Sequence, residues 1–255
     1  MSHITVVKVG GNVVDNPTLL ARFVKDFAAL PGLKILVHGG GKEATRLSSA
    51  LGIETQMIEG RRVTDRDTLD VVTMVYAGLV NKRIVAALQA AGLNAIGLCG
   101  ADAGVITSVR RAPNPVDYGY VGDIRSVSTD VLRTMLTAGF VPVFCAITHD
   151  GNGTLLNSNA DGVASAVAVA ASSVAPTTLV YCFEMPGVMR NVDDPNSVIP
   201  NISRDLYAQL RAEGVVNKGM IPKIDNAFRA VESGVGCVVI KSAENLCGRI
   251  GTIIR

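Results

Sequence analysis

The stretch Ile4-Thr5-Val6-Val7-Lys8-Val9-Gly10-Gly11-Asn12 constrains the fold more than any other part of the chain. Apart from Lys8, the residues from Ile4 to Gly10 are apolar, β-branched or small, which predicts a strand buried on both faces. A lysine inside such a strand is costly unless an anion meets it. The two glycines that follow allow close backbone approach to a ligand and leave N–H groups pointing outward. Taken alone, the same residues would also describe a lysine snorkelling from a strand end beside an ordinary turn. The rest of the chain has to decide.

At 255 residues the chain can bury a substantial core, as one large α/β domain or as two lobes. A net charge of +2 and the lack of any Lys/Arg-rich arm give no basis for nucleic-acid binding. The longest apolar run, from Gly162 to Pro176, is short for a membrane span and built from Ala, Ser and Val, so it predicts a packed internal helix. No signal peptide and no membrane association are expected. Five unpatterned cysteines fit a reducing cytoplasm, with the thiols acting as small core residues.

Strands and helices are predicted to alternate throughout. Asn16 to Leu30 has helical periodicity and stops at Pro31-Gly32. A short strand, Lys34 to Val37, runs into His38-Gly39-Gly40-Gly41-Lys42 and then a helix from Glu43 to Leu51. Strand, glycines and helix together make an anion site. The spacing fits neither a G-x-x-x-x-G-K-[ST] loop nor G-x-G-x-x-G, so a Rossmann dinucleotide site is rejected. Gly60-Arg61-Arg62-Val63-Thr64-Asp65 closes a hairpin and caps a long helix from Arg66 to Ala91. Neighbouring strand residues point to opposite faces, so one arginine can face a cleft and the other water. A guanidinium fork suits a carboxylate there. His149 falls in a turn cluster and is expected to be exposed. Asn157, Asn159 and Asp161 converge on one helix N-terminus, as caps or as a polar cluster facing a cleft. Ser203 to Gly214 and Pro222 to Ser233 complete the helices. The alternation predicts a mainly parallel sheet covered on both faces.

Five stretches in one order carry a resemblance. They are Lys8-Val9-Gly10-Gly11, His38-Gly39-Gly40-Gly41, Gly60 to Thr64, Asn157 to Asp161, and Lys218-Gly219-Met220-Ile221-Pro222-Lys223. Together they resemble the amino acid kinase family over essentially the whole chain. The resemblance implies a three-layer αβα sandwich with a central, mainly parallel sheet. Residues 1–175 would form an N-terminal lobe that binds the acyl amino acid and makes the dimer. Residues 176–255 would form the nucleotide lobe.

The implied reaction is ATP-dependent phosphorylation of the side-chain carboxylate of N-acetyl-L-glutamate, a step of arginine biosynthesis. N-succinyl-L-glutamate or an acylated aminoadipate is the alternative acceptor, with Arg61, Arg110 or Arg111 as the extra cation. A catalytically silent ligand sensor is the remaining possibility. By resemblance, Lys8 and Lys223 would hold the transferring phosphoryl group, with Asp161 fixing both. Gly10, Gly11, Gly40 and Gly41 would offer backbone N–H groups to the phosphoryl oxygens and the acceptor. Arg62 and Asn157, with Asn159 beside them, would hold the acceptor. Glu184, Gly187 and Met189 would belong to the nucleotide pocket. Mg²⁺ would be held mainly by ATP and water, without a protein metal site.

Two departures stand out. The family usually carries Asp where this chain has Glu184. Its arginine-inhibited members also carry an additional N-terminal helix, so a cytoplasmic homodimer without that control is expected.

Overall fold

A computed structural model of the chain describes residues 2–216 and 220–255. The Lys218-Gly219 part of the last motif lies outside the described residues, while Met220 to Lys223 lies within them. Among the described residues, eight strands form the central sheet. Their order is Asn201–Ile202, Thr252–Ile254, Cys237–Ser242, Thr177–Phe183, Ile4–Val9, Leu33–His38, Val141–Phe144 and Ala95–Leu98. Pairing is parallel except between Cys237–Ser242 and Thr252–Ile254. The first strand lies inside the sheet, with Lys8 level with Tyr181 on one side and Val37 on the other.

Alternation along that strand serves two cores. Ile4 and Val6 pack with helix Ala160–Ser172 on one face. Val7 and Val9 pack with helix Pro17–Ala29 and the Arg66–Ala90 helical stretch on the other. Lys8 has the parity of Ile4 and Val6, so its side chain leaves the strand toward the start of helix Ala160–Ser172. The result is helix, sheet, helix, as predicted.

The Arg66–Ala90 stretch is long and apolar enough to cross a membrane. Here it buries Leu69, Val72, Val75, Ile84 and Leu88 in the core. Its middle, Met74–Val80, is π-helical, which sequence periodicity does not disclose. A second, four-stranded sheet (Leu155–Asn157, Ile147–His149, Ile106–Arg110, Gly122–Val127) carries Asn157 on its edge strand. His149 departs from expectation: it ends a strand half-buried, with a buried Nε2 that has no partner among the described residues.

Candidate active site

Three neighbouring parallel strands end on one edge of the sheet. Ile4–Val9 delivers Gly10-Gly11, Leu33–His38 delivers Gly39-Gly40-Gly41, and Thr177–Phe183 delivers Phe183-Glu184. The strand order reverses beside the first strand, and such switch points open a crevice at the carboxyl ends of strands.

The two lysines predicted from opposite ends of the chain come together here. Lys8 Nζ lies 5.5 Å from the centroid of the Phe183 ring, and Lys223 Nζ lies 3.8 Å from the same centroid. Lys8 Nζ is 2.9 Å from Asp161 Oδ1, although the approach is off the hydrogen-bonding direction, so charge rather than a directed bond holds the contact. Burial lowers the pKa of the Lys223 ammonium, the Asp161 carboxylate opposes that shift, and Lys8 adds to it. The two cations therefore meet at one carboxylate and one aromatic ring, with Glu184 a smaller further influence on Lys223. Helix Ala160–Ser172 fixes Asp161: Asn159 Oδ1 accepts from the N–H groups of Asp161 and Gly162 at 2.8 and 3.2 Å. Tyr181 Oη donates to the Asp161 carbonyl at 3.1 Å.

The second glycine turn is braced from below. Helix Gly41–Ala50 starts with Gly40 at its N-cap and no side-chain cap, so its first N–H groups remain open. It begins two residues earlier than periodicity predicts. His38 is fully buried; its Nδ1 donates to the Gly39 carbonyl at 2.7 Å, and its Nε2 accepts from Asn81 Nδ2 at 3.0 Å. Burial pushes the imidazole pKa down to about 4, so it is neutral and its tautomer is fixed by these two bonds. Asn81 also donates to the Val143 carbonyl, and Lys82 donates to Asn81 Oδ1. His38, given no role by sequence, thus orients the turn.

Gly41 stands where two clefts meet. One, with about 650 Å³ of empty volume, is lined by Gly40, Arg62, Tyr76, Asn157 and Asn159. Arg62 is 7% exposed and donates to Thr55 Oγ1, Thr45 Oγ1 and the Gly41 carbonyl at 2.9 to 3.1 Å. Every one of these partners is a neutral oxygen. Among the described residues no carboxylate pairs with this buried guanidinium, an arrangement suited to an incoming anion. Asn157 Nδ2 donates to Thr64 Oγ1 at 3.0 Å, and that hydroxyl donates to the Arg62 carbonyl. Arg61 is exposed and Arg62 buried, the division expected of neighbouring strand residues, and both border the cleft. Arg110 and Arg111 are engaged elsewhere, Arg110 with the Gly119 carbonyl and the Tyr120 ring, Arg111 with Asp123.

The other cleft, with about 910 Å³ of empty volume, is lined by Gly10, Gly11, Asn12, Phe183, Glu184 and Lys223. Glu184 is exposed there. Gly187 and Met189, predicted to join it, are buried in packing instead. A Cβ on Gly187 would meet Val198 Cγ1 and Thr252 Oγ1 at 2.8 Å, and Met189 bridges to Val198. Among the described residues no cluster of three His, Cys, Asp or Glu side chains could hold a metal. Ammoniums and glycine N–H groups fit the phosphates of a metal-bearing nucleotide, and the buried Asn12 Oδ1, without a partner among the described residues, fits a metal-bound water.

The comparisons with known proteins agree with this geometry. The description "Amino acid kinase family" covers residues 3–242. An acetylglutamate kinase from Cytophaga hutchinsonii is 54% identical over 96% of this chain and 94% of its own. One from Bacteroides thetaiotaomicron is 51% identical over 99% and 98%. A solved structure from Streptococcus mutans aligns with a TM-score of 0.79 at 29% identity over 98% of both chains. An N-acetylglutamate synthase from Neisseria gonorrhoeae, complexed with coenzyme A and N-acetyl-glutamate, aligns with a TM-score of 0.81 at 26% identity, over 98% of this chain and 59% of that one. From the full-length match and the shared sheet, the chain belongs to the amino acid kinase family.

Proposed function

We propose that the chain transfers the γ-phosphoryl group of ATP to the side-chain carboxylate of N-acetyl-L-glutamate, a step of arginine biosynthesis. Relatives named acetylglutamate kinase at about half identity over nearly the whole length support the assignment. The observation that carries it is the convergence of Lys8, Lys223 and Asp161 around Phe183, beside the two clefts that share Gly41.

The acceptor needs no general base, because a glutamate side chain, with a reference pKa of about 4.3, is already ionised at neutral pH. One carboxylate oxygen attacks the γ-phosphorus. The bond to the bridging β,γ-oxygen breaks, and ADP leaves with that electron pair. The barrier is electrostatic, since an anion approaches an anion. Lys8 and Lys223 supply cations beside the transferring group, and Asp161 holds them there. Gly10, Gly11, Gly40 and Gly41 offer N–H groups. Arg62 and Asn157 seat the acceptor, and Asn159 frames its cleft while capping the Asp161 helix. Mg²⁺, bound to the nucleotide, would supply further positive charge on the phosphates.

The reading also includes an acceptor lobe over residues 1–175, a nucleotide lobe over 176–255 with Glu184 toward the nucleotide, and a cytoplasmic homodimer. Five free thiols are compatible with that compartment. Arg61 at the acceptor cleft favours N-succinyl-L-glutamate as the second acceptor to test. A coupled ADP-release assay with N-acetyl-L-glutamate, N-succinyl-L-glutamate and L-glutamate decides. Turnover of the acetylated acceptor is expected. Activity on free glutamate alone would overturn the acyl assignment, and silence on all three would favour a ligand sensor.

A further inference from the structure

The π-helical stretch Met74–Val80 aims a set of side chains at the second glycine turn. A Cβ on Gly40 would meet Tyr76 Cδ1 at 2.9 Å and Val80 Cγ2 at 3.4 Å, and Asn81 follows directly with its bond to His38. Inserting a wider turn into an α-helix changes which residues face a neighbour, and such turns are frequent at functional sites. Here it lays the Tyr76 ring over Gly40 and leaves the hydroxyl 4.0 Å from where a Gly41 Cβ would stand.

Tyr76 is 6% exposed and lines the acceptor cleft. Arg62 lines the same cleft, near enough for its charge to oppose the upward pull of burial on the Tyr76 pKa. Burial wins, the pKa is raised, and the phenol is protonated at neutral pH. A guanidinium has five donors and no acceptor, so the Tyr76 oxygen can only accept from it. The hydroxyl proton is left over, and no described residue accepts it. A protonated donor without an acceptor thus lies beside a buried cation without an anion. One carboxylate would satisfy both, and a carboxylate has lone pairs enough to take a guanidinium and a hydroxyl together.

We propose that Tyr76 is a further acceptor-binding residue: its hydroxyl donates to the same substrate carboxylate that Arg62 holds, and the π-helical turn exists to place it there. The proposal rests on the reading of the Arg62 cleft as the acceptor site and adds to it a neutral donor.

Steady-state kinetics with N-acetyl-L-glutamate and MgATP on the wild type, Tyr76→Phe, Arg62→Lys and the double variant test it. Phenylalanine keeps the ring over Gly40 and removes only the hydroxyl. Tyr76→Phe is expected to raise the KM for the acceptor about tenfold, the scale of one hydrogen bond to a charged group, with the KM for ATP within about twofold. In the Arg62→Lys background the same change is expected to cost less than about threefold, because both side chains grip one carboxylate. An acceptor KM unchanged by Tyr76→Phe overturns the proposal. So does a tenfold loss that is equal in both backgrounds, or one that raises both KM values alike, which would mark the hydroxyl as structural. A wild type that fails to turn over the acetylated acceptor breaks the functional reading itself, and the assignment of Tyr76 with it.

Discussion

The two clefts that meet at Gly41 are built on different principles. In the acceptor cleft three polar side chains are already bonded to other parts of the chain, and the Tyr76 hydroxyl is the donor left over. Arg62 reaches Thr45 and Gly41, Asn157 reaches Thr64, and Asn159 caps the Asp161 helix. In the nucleotide cleft the lining is largely glycine backbone, with Asn12, Lys42, Phe183, the exposed side chains Glu184 and Met185, and half-buried Lys223. A pre-bonded cleft loses little freedom when its ligand arrives and rejects ligands that leave its donors unpaired. A cleft of N–H groups and ammoniums grips any polyphosphate. The contrast assigns discrimination to the acceptor side, affinity of a general kind to the nucleotide side, and rate to the lysines between them.

The largest effect should come from that junction. Lys8→Met is expected to lower kcat by roughly 10²–10³, as loss of one charge-stabilising donor does, with the acceptor KM little changed. If instead KM rose at constant kcat, Lys8 would belong to ground-state binding and the division between clefts would fail. Arg62→Lys keeps the charge and loses the planar fork, so the acceptor KM should rise roughly 10–100-fold while the KM for ATP stays constant. Equal changes in both would erase the contrast.

A third effect concerns the bracing of the turn. The buried His38 imidazole titrates near 4 in the folded chain, against 6.5 when unperturbed. As the pH falls below about 6.5 the unfolded chain takes up a proton that the folded chain refuses, so stability is lost between about pH 6.5 and 4 and is unaffected above that window. Between pH 7 and pH 5 the loss should be about 2 kcal/mol, read as a lower urea midpoint at constant m. His38→Gln, which has no such titration, should remove most of that slope and also reduce kcat. The smallest effect is predicted for exposed Glu184: Glu184→Gln should change the KM for ATP by less than about threefold, since an exposed charge contributes little. A larger change would mean that the nucleotide side also selects by fixed contacts.

What sequence made legible follows from how local each signal is. Lys8 with its glycines, Arg62 in its hairpin and Asp161 at a helix start are each announced by a few adjacent residues, and the structure brings them to the junction. The alternation of strand and helix likewise gave the layered sheet. Features that depend on distant partners were hidden. His38 and Asn81 are 43 positions apart, and neither looks unusual alone. Tyr76 sits in an apolar helical run and reads as core, because a π-helical turn has no periodicity of its own to betray it. Phe183 reads as a strand residue until both ammoniums are seen against its ring. Gly187 looks like a ligand-approach glycine, but it is small because Val198 and Thr252 fill the space beside it.

The placement of Lys8 within an inner strand has a further meaning. Side chains on a strand swap faces at every residue, so slippage of Ile4–Val9 by a single position against Thr177–Phe183 would send the amine into the opposite helical layer. A chain slipped in this way would lack the Lys8 amine at its site, so turnover would report whether the middle of the molecule has been assembled in the right alignment.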